Sequence, residues 1–240
     1  MIKLSNIGKN FGDYWAIRYL DIEVAKGRIF GFLGPNGAGK TTTVKMIAGL
    51  LKPAAGQIFA GGHDVVQEPL KAKSIIGYVP DKGFLYEKLT GLEFLRFVAA
   101  LYKIPEEKAA GKIKDLSETF SIREILDGLI ESYSTGMRQR LVFVAAMINE
   151  PKILLIDEPI VGLDPKGVRM LKNLLQGQAA GGLTIFMATH SLLLAEELCS
   201  DIGIINNGRL IASGTKEELL SSGRRLEDFF LQVTEKQPYL

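Results

Sequence analysis

Residues 34–41 combine glycines with a lysine and a hydroxyl side chain, residue types that together can hold phosphate groups. They fit the pattern G-x-x-x-x-G-K-[ST]. In this loop, backbone N–H groups surround the anion, the lysine reaches the β- and γ-phosphates, and the hydroxyl ligates Mg²⁺. The sequence therefore predicts a nucleotide site with Lys40 on phosphate and Thr41 on the metal. The predicted binding residues are Gly34, Pro35, Asn36, Gly37, Ala38, Gly39, Lys40, Thr41 and Thr42.

The flanking residues predict the elements that hold this loop. Residues 29–33 form a short apolar run of strand type, while Val44, Ile47, Ala48 and Leu51 recur at helical spacing. The loop should therefore join a strand to a helix whose N-terminus adds partial positive charge.

A second predicted strand ends in two carboxylates. Residues 153–156 are apolar and are followed by Asp157 and Glu158, an order that resembles the Walker B element. There the first acid belongs to the Mg²⁺ shell and the second polarises the attacking water. A strand that enters an acidic turn would look the same, but the phosphate-binding loop favours the catalytic interpretation.

Two more polar residues stand at the ends of predicted elements. Ser134 should cap a helix and so provide a second helix start able to bind an anion. His190 follows a predicted strand at the edge where the phosphates are expected. Serine at a helix start and histidine at a strand end are both common, so neither identifies a site alone.

The strand and helix signals alternate, which predicts an α/β fold. Residues 29–33, 75–79, 153–156 and 184–188 are typical of buried parallel strands, and the alternation at 20–24 indicates an antiparallel edge strand. Helices dominate from 85 to 149, with stretches near 106–120 and 123–130. We expect one domain over 1–240, with a core at about 1–84 and 150–213, an inserted helical subdomain at 85–149, and a tail at 214–240 that includes a polar helix.

Composition limits the classes of partner and compartment. The 240 residues carry a net charge of +2 without a dense Lys/Arg block, so nucleic acid is not an expected partner. A single cysteine, Cys199, agrees with a reducing cytoplasm. The longest apolar run, residues 141–148, is too short to cross a bilayer, and the start of the chain does not resemble a signal peptide. We therefore expect any membrane role to be peripheral.

The order of the motifs resembles that of ABC-type ATPase domains over essentially the whole chain. The resemblance rests on the P-loop, Tyr-Ser-Thr-Gly-Met-Arg-Gln-Arg at 133–140, Ile-Asp-Glu-Pro at 156–159, Gly-Leu-Asp at 162–164 and Thr-His at 189–190. It implies a P-loop ATPase core with a mixed sheet, parallel at its centre, that binds ATP and Mg²⁺ and hydrolyses ATP.

The resemblance also implies roles for single residues. Ser134 and Gly136 would contact the γ-phosphate held by a second copy of the chain or by a related ATPase subunit, so that two domains enclose two ATP molecules head to tail. Asp164 would communicate across this dimer, His190 would sense the γ-phosphate, and Phe11 would stack on adenine. A Phe11 that only fills the core is the alternative.

Two departures from the family pattern stand out. Asp81 occupies the loop after the strand at 75–79 where glutamine is usual, and it could still approach the metal or its water. In the motif at 133–140, Thr135 replaces the usual glycine and Met137 replaces the usual glutamine. Because a thioether serves the Ser134 N–H poorly, Met137 removes half of a capping box, and we expect weaker ordering of that loop.

The resemblance favours the ATP-hydrolysing subunit of a membrane ABC transporter, peripheral on the cytoplasmic face of the cell membrane. The membrane-spanning subunits would be separate chains that meet the helical subdomain. Residues 226–231 resemble the ends of stand-alone exporter subunits, a short stretch that points to export. The alternative is a soluble ABC ATPase without a membrane partner.

Overall fold

The computed structural model describes residues 1–160, 162–220 and 224–235. Its strands are β1 (Ile2–Phe11), β2 (Tyr14–Val24), β3 (Ile29–Leu33), β4 (Ala55–Ala60), β5 (His63–Asp64), β6 (Ile76–Val79), β7 (Ile153–Asp157), β8 (Thr184–Thr189), β9 (Asp201–Asn206) and β10 (Arg209–Thr215). Its α-helices are α1 (Lys40–Ile47), α2 (Pro69–Ser74), α3 (Gly91–Leu101), α4 (Glu106–Thr119), α5 (Thr135–Met147), α6 (Pro165–Ala180), α7 (Leu192–Leu198), α8 (Lys216–Leu219) and α9 (Leu226–Glu235). The predicted α/β class is confirmed. None of the helices in these ranges combines the length and the apolar character that crossing a membrane requires.

The central sheet has the order β10-β9-β3-β8-β7-β6 and is parallel except for β10. Strands β3, β7 and β8 are buried along their whole length, as their continuous apolar runs predict. In the register, Leu33 pairs with Thr189 and Asp157 pairs with Ala188. The parallel register therefore brings the ends of these three strands to one edge of the sheet.

A second, antiparallel sheet with the order β2-β1-β4-β5 lies on the other side of α1. Strand β2 is its edge and alternates between buried and exposed residues near its end, as predicted. Helix α1 contacts strands of both sheets, and Val44 and Ile47 share one apolar core with Ile7 and Phe32. The helix that follows the predicted phosphate loop is thus fixed between two sheets.

Helices α3, α4 and α5 pack against one another, and the rings of Phe120 and Phe143 stack with centroids 5.7 Å apart. Helix α3 begins at a capping box formed by Thr90 and Glu93. The predicted helix at 123–130 is wrong, because this segment forms two 3₁₀ turns at Arg123–Ile125 and Ile130–Ser132. The Leu126 and Gly128 carbonyls accept from the N–H groups of Leu92 and Gly91 instead of continuing a helix.

The C-terminal part departs from the predicted start of its helix. Gly214 pairs with Ile202 in β10, so the first helix of this part begins only at Lys216, after the Thr215 cap. Residues 221–223 and 236–240 of the predicted tail lie outside the described residues. The boundaries predicted for the core, the helical subdomain and the tail stay a prediction.

Candidate functional site

A cavity of about 420 Å³ opens at the sheet edge where β3 and β7 end. It brings together most of the residues that the sequence predicts to act on nucleotide, from Phe11 near the start of the chain to Glu158. Its lining consists of Phe11, Tyr14, Ala16, Asn36, Gly37, Gly39, Lys40, Thr41, Thr42, Asp81 and Glu158.

The loop between β3 and α1 needs its glycines. Gly39 is the N-cap of α1 with φ 110°, a conformation that favours glycine, and its position is tight, since a Cβ there would lie 2.4 Å from the Ile17 side chain. A Cβ on Gly34 would lie 2.3 Å from the Ile205 carbonyl oxygen. Because Gly39 has no side chain, it leaves the first N–H groups of α1 without a side-chain cap. The helix start is therefore available to an anion.

Lys40 is buried beneath this loop. Its Nζ donates to the Gly34 carbonyl at 2.7 Å and to the Pro35 carbonyl at 3.1 Å. Burial lowers the pKa of Lys40, while the charges of Glu158 and Asp157 oppose that shift. The loop carbonyls hold the ammonium beside the cavity without neutralising its charge, as binding a phosphate requires.

Asp157, at the end of β7, is only 1% exposed, and both of its carboxylate oxygens are buried without a hydrogen-bond partner. Burial raises the pKa of Asp157, and the charges of Glu158 and Asp81 raise it further, whereas the Thr41 hydroxyl and the Lys40 charge lower it. Two unpaired carboxylate oxygens beside a hydroxyl fit the oxygen ligands that Mg²⁺ prefers. Within the described ranges, no three His, Cys, Asp or Glu side chains gather around a possible metal position, so such an ion would depend on phosphate oxygens as well.

Glu158 is held by the end of β8. Its carboxylate accepts from the Thr189 hydroxyl at 3.0 Å and from the His190 backbone N–H at 3.1 Å, and the His190 Nδ1 lies 2.9 Å from Oε1. Its φ is +53°, a left-handed conformation that costs a residue with a side chain about 1–2 kcal/mol. Four contacts around one strained residue, including its own N–H to the Ala188 carbonyl, fix this carboxylate at the cavity.

The far end of the cavity is aromatic. Phe11 and Tyr14 face each other across the turn between β1 and β2, and both are exposed. An exposed Phe11 excludes the interpretation that it fills the core. Sequence reasoning missed Tyr14, although two aromatics flanking Gly12-Asp13 signal a hairpin whose ends share a face.

Three of the predicted residues lie elsewhere. Ser134, Gly136 and Asp164 do not line this cavity. They lie near one another, because a Cβ on Gly136 would be 2.9 Å from the Gly162 carbonyl oxygen, and Asp164 caps α6 with Arg140 3.5 Å away. The structure thus separates the candidate residues into a cavity and a second surface formed by the starts of α5 and α6.

Comparison with known proteins decides the family. The family profile described as "ABC transporter" matches residues 17–161. The chain belongs to the ABC transporter family. A daunorubicin resistance ATP-binding protein of Streptomyces coeruleorubidus is 38% identical over 218 residues, which cover 91% of this chain and 69% of that protein. This ABC protein is also 36% identical over 222 residues to the Nod factor export ATP-binding protein I of Cupriavidus metallidurans, covering 92% of this chain and 73% of that one.

A solved structure described as the ATP binding subunit of an ABC transporter has the same fold. It superposes with a TM-score of 0.91 at 30% identity and covers 97% of this chain and 99% of its own. The ABC protein described here is accordingly an ATP-binding subunit and an ATPase of the kind that is coupled to transport.

Proposed function

We propose that this ABC ATPase hydrolyses MgATP to power an exporter whose membrane-spanning parts are separate subunits. The observation that carries the proposal is the fixed carboxylate of Glu158, which shares one cavity with Lys40 and the uncapped start of α1. A positive phosphate site and an oriented acid in the same cavity are the two parts that hydrolysis of a phosphoanhydride needs.

The chain's own residues divide the binding of ATP between them. Lys40 and the first N–H groups of α1 bind the phosphates, and Phe11, with Tyr14 beside it, offers a ring face to adenine. Thr41 and Asp157, with Asp81 nearby, would hold Mg²⁺, which when bound would neutralise charge on the phosphate oxygens.

Glu158 would act as the general base. It takes a proton from a water molecule while the water oxygen attacks the γ-phosphorus, and ADP leaves as the bond to the γ-phosphate breaks. His190 holds Glu158 through its backbone N–H and its ring Nδ1. With both ring nitrogens protonated, Nε2–H would in addition donate to the γ-phosphate. Thr189 fixes the other carboxylate oxygen.

A second copy would complete the site. Ser134 is exposed and lies away from the cavity of its own chain, as a residue that acts on a partner's nucleotide must. We infer that two chains, or this chain and a related subunit, close head to tail around two ATP molecules, with Asp164 at the contact. Binding of ATP would drive this association by mass action.

Export and the membrane location rest on the relatives. One similar protein is described as an export subunit and another as a drug resistance subunit. We propose that this chain also lies peripherally on the cytoplasmic face of the cell membrane. The helical subdomain at about 85–149 would meet the membrane-spanning subunits, and the core at about 1–84 and 150–213 would hold the nucleotide.

Glu158→Gln tests the proposal, because glutamine keeps the size and polarity of the side chain but cannot take a proton. Hydrolysis should fall by roughly 100- to 10,000-fold, the usual contribution of a general base. ATP should still bind, and the dimer should accumulate in gel filtration with MgATP. The exposed Glu124→Gln is the matched control and should hydrolyse ATP normally. A Glu158→Gln protein with the wild-type rate would contradict the assignment and make His190 the first alternative base.

A further inference from the structure

Helix α5, which follows Ser134, has only half of a capping box. The Ser134 hydroxyl accepts from the Met137 N–H at 3.3 Å, but Met137 has no oxygen to accept from the backbone in return. Two other helices of the same chain have the complete arrangement. At α3, the Thr90 N–H donates to the Glu93 carboxylate at 2.8 Å, and Thr215 donates to Glu218 at 2.9 Å. The turn that leads into α5 therefore needs another source of order.

Arg138, one residue beyond Met137, supplies contacts to this turn. Its Nε donates to the Tyr133 carbonyl at 3.1 Å, and its Nη2 donates to the Glu131 carbonyl at 3.2 Å. Tyr133 directly precedes Ser134, so the guanidinium bridges the turn from the helix back to the residue before the cap. Hydrogen bonds from a charged donor are stronger than neutral ones, and the planar guanidinium fixes two carbonyls at once.

The orientation of Arg138 is set from a different segment. Its Nη1 donates to the Glu87 carboxylate at 2.7 Å. The segment that carries Glu87 is itself attached to the turn, because the Glu131 N–H donates to the Glu87 carbonyl at 3.1 Å and Lys88 pairs with the Glu131 carboxylate at 2.6 Å. Glu87 therefore holds the guanidinium from a segment that is itself bonded to the turn.

We propose that Arg138 is a positioning residue that orders this turn by donating to the Tyr133 and Glu131 carbonyls, compensates for the missing capping-box acceptor, and so presents Ser134 to the nucleotide of a second copy. The inference rests on the proposed contact of Ser134 with that nucleotide. Arg138 acts through the turn and does not touch ATP, so its loss should affect the assembled site and spare binding of ATP to the single chain.

The test measures hydrolysis at saturating ATP, the Kd for ATP and the melting temperature of the full chain. Arg138→Ala should lower the hydrolysis rate by roughly tenfold, the effect of one lost charge-assisted hydrogen bond on a barrier, and leave the Kd within about twofold. Arg138→Lys keeps the charge but not the planar guanidinium that donates to two carbonyls at once. It should therefore show most of this loss in hydrolysis rate with a normal melting temperature. Glu87→Gln should lower the rate less. Arg96→Ala, on the exposed side of α3, is the control and should change none of the three quantities.

The decisive variant restores the capping box. Met137→Gln should rescue Arg138→Ala several-fold, and it should raise the rate much less when Arg138 is present, because the two devices serve the same turn. Equal gains in both backgrounds would overturn the inference, since glutamine would then act independently of Arg138. Ser134→Ala distinguishes failure of the proposed Ser134 contact from failure of the Arg138 role. If Ser134→Ala leaves the hydrolysis rate unchanged, the proposed contact of Ser134 with the second nucleotide is wrong. If Ser134→Ala lowers the rate but Arg138→Ala does not, only the role of Arg138 is refuted.

Discussion

The cavity and the surface formed by the starts of α5 and α6, the Ser134 surface, differ in how their candidate functional residues are held. In the cavity, both oxygens of Asp157 are buried without a partner and Glu158 has a left-handed backbone conformation. At the starts of α5 and α6, Ser134 and Asp164 each cap their own helix, and each nitrogen of the Arg138 guanidinium donates one hydrogen bond. Behind them, Gln139 Nε2 and Arg140 Nε are buried without a partner. The cavity therefore leaves carboxylate oxygens for a ligand, whereas Ser134, Asp164 and Arg138 already bond within the chain.

This difference indicates how the two regions contribute to function. An unpaired buried polar group costs about 1–3 kcal/mol, a cost that a bound ligand can offset. The cavity should therefore gain stability when nucleotide and metal bind. In the proposed head-to-tail dimer, the Ser134 surface would instead have to be oriented toward the second copy. Changes in the cavity should alter ligand binding, and changes at the second surface should alter assembly.

Lys40→Ala should have the largest effect on binding. It removes the cation that the loop carbonyls of Gly34 and Pro35 hold beside the cavity, so the affinity for ATP should fall by a factor on the order of 100. Isothermal titration calorimetry measures this directly. Lys45→Ala, exposed on the same helix, should bind ATP as the wild type does. A near-normal affinity of the Lys40→Ala protein for ATP would show that the cavity is not the phosphate site.

The residues of the cavity could be predicted from the sequence, whereas many of the contacts that hold them could not. Lys40, Asp157 and Glu158 belong to local patterns, and the parallel register of the strands brings those patterns together. The left-handed conformation of Glu158 and the pairing of Tyr14 with Phe11 depend on chain segments far apart or on a turn, and no local periodicity reports them. The 3₁₀ turns near residue 128 were missed for the same reason, because carbonyls of this segment accept from the start of α3.

Asp157→Asn should separate stability from activity. Asparagine has the same shape without the unpaired charge, so the nucleotide-free chain should gain about 1 kcal/mol in free energy of unfolding and melt roughly 2–4 °C higher. Hydrolysis should fall at least about tenfold, because a candidate metal ligand loses its charge. Calorimetry and an ATPase assay give the two values.

The pH dependence of this gain follows from the raised pKa of Asp157. The folded carboxyl binds its proton more tightly than the unfolded one, so the stability of the wild-type chain falls as pH rises through the folded pKa. The asparagine protein lacks this loss. The gain in free energy of unfolding of the Asp157→Asn protein over the wild type should therefore be larger at pH 7 than at about pH 4, near the ordinary pKa of aspartate. An advantage that does not change with pH would mean that the charge of Asp157 is not the source of the cost.

Asp81→Gln should have the smallest effect on ATP binding, and it tests whether the functional part of the cavity extends to Asp81. Asp81 lines the cavity, and its charge contributes to the raised pKa of Asp157 and to that of Tyr78, which burial brings to about 12. Because Lys40 and the α1 N-terminus dominate phosphate binding, the affinity for ATP should stay within about threefold, the scale of one screened charge in water.

The rate of hydrolysis should respond more than the affinity does. Glutamine keeps an acceptor and adds a donor, whereas Asp81→Ala has neither charge nor hydrogen bond. We expect a changed rate for Asp81→Gln and a lower rate for Asp81→Ala, with larger differences when the membrane subunits are present, since the loop of Asp81 leads to the predicted helical subdomain. Mg²⁺-dependent ATPase assays of the wild type and both variants, with and without those subunits, test this. Identical rates in all of them would show that Asp81 is only a solvated loop residue and that the functional cavity ends at Glu158.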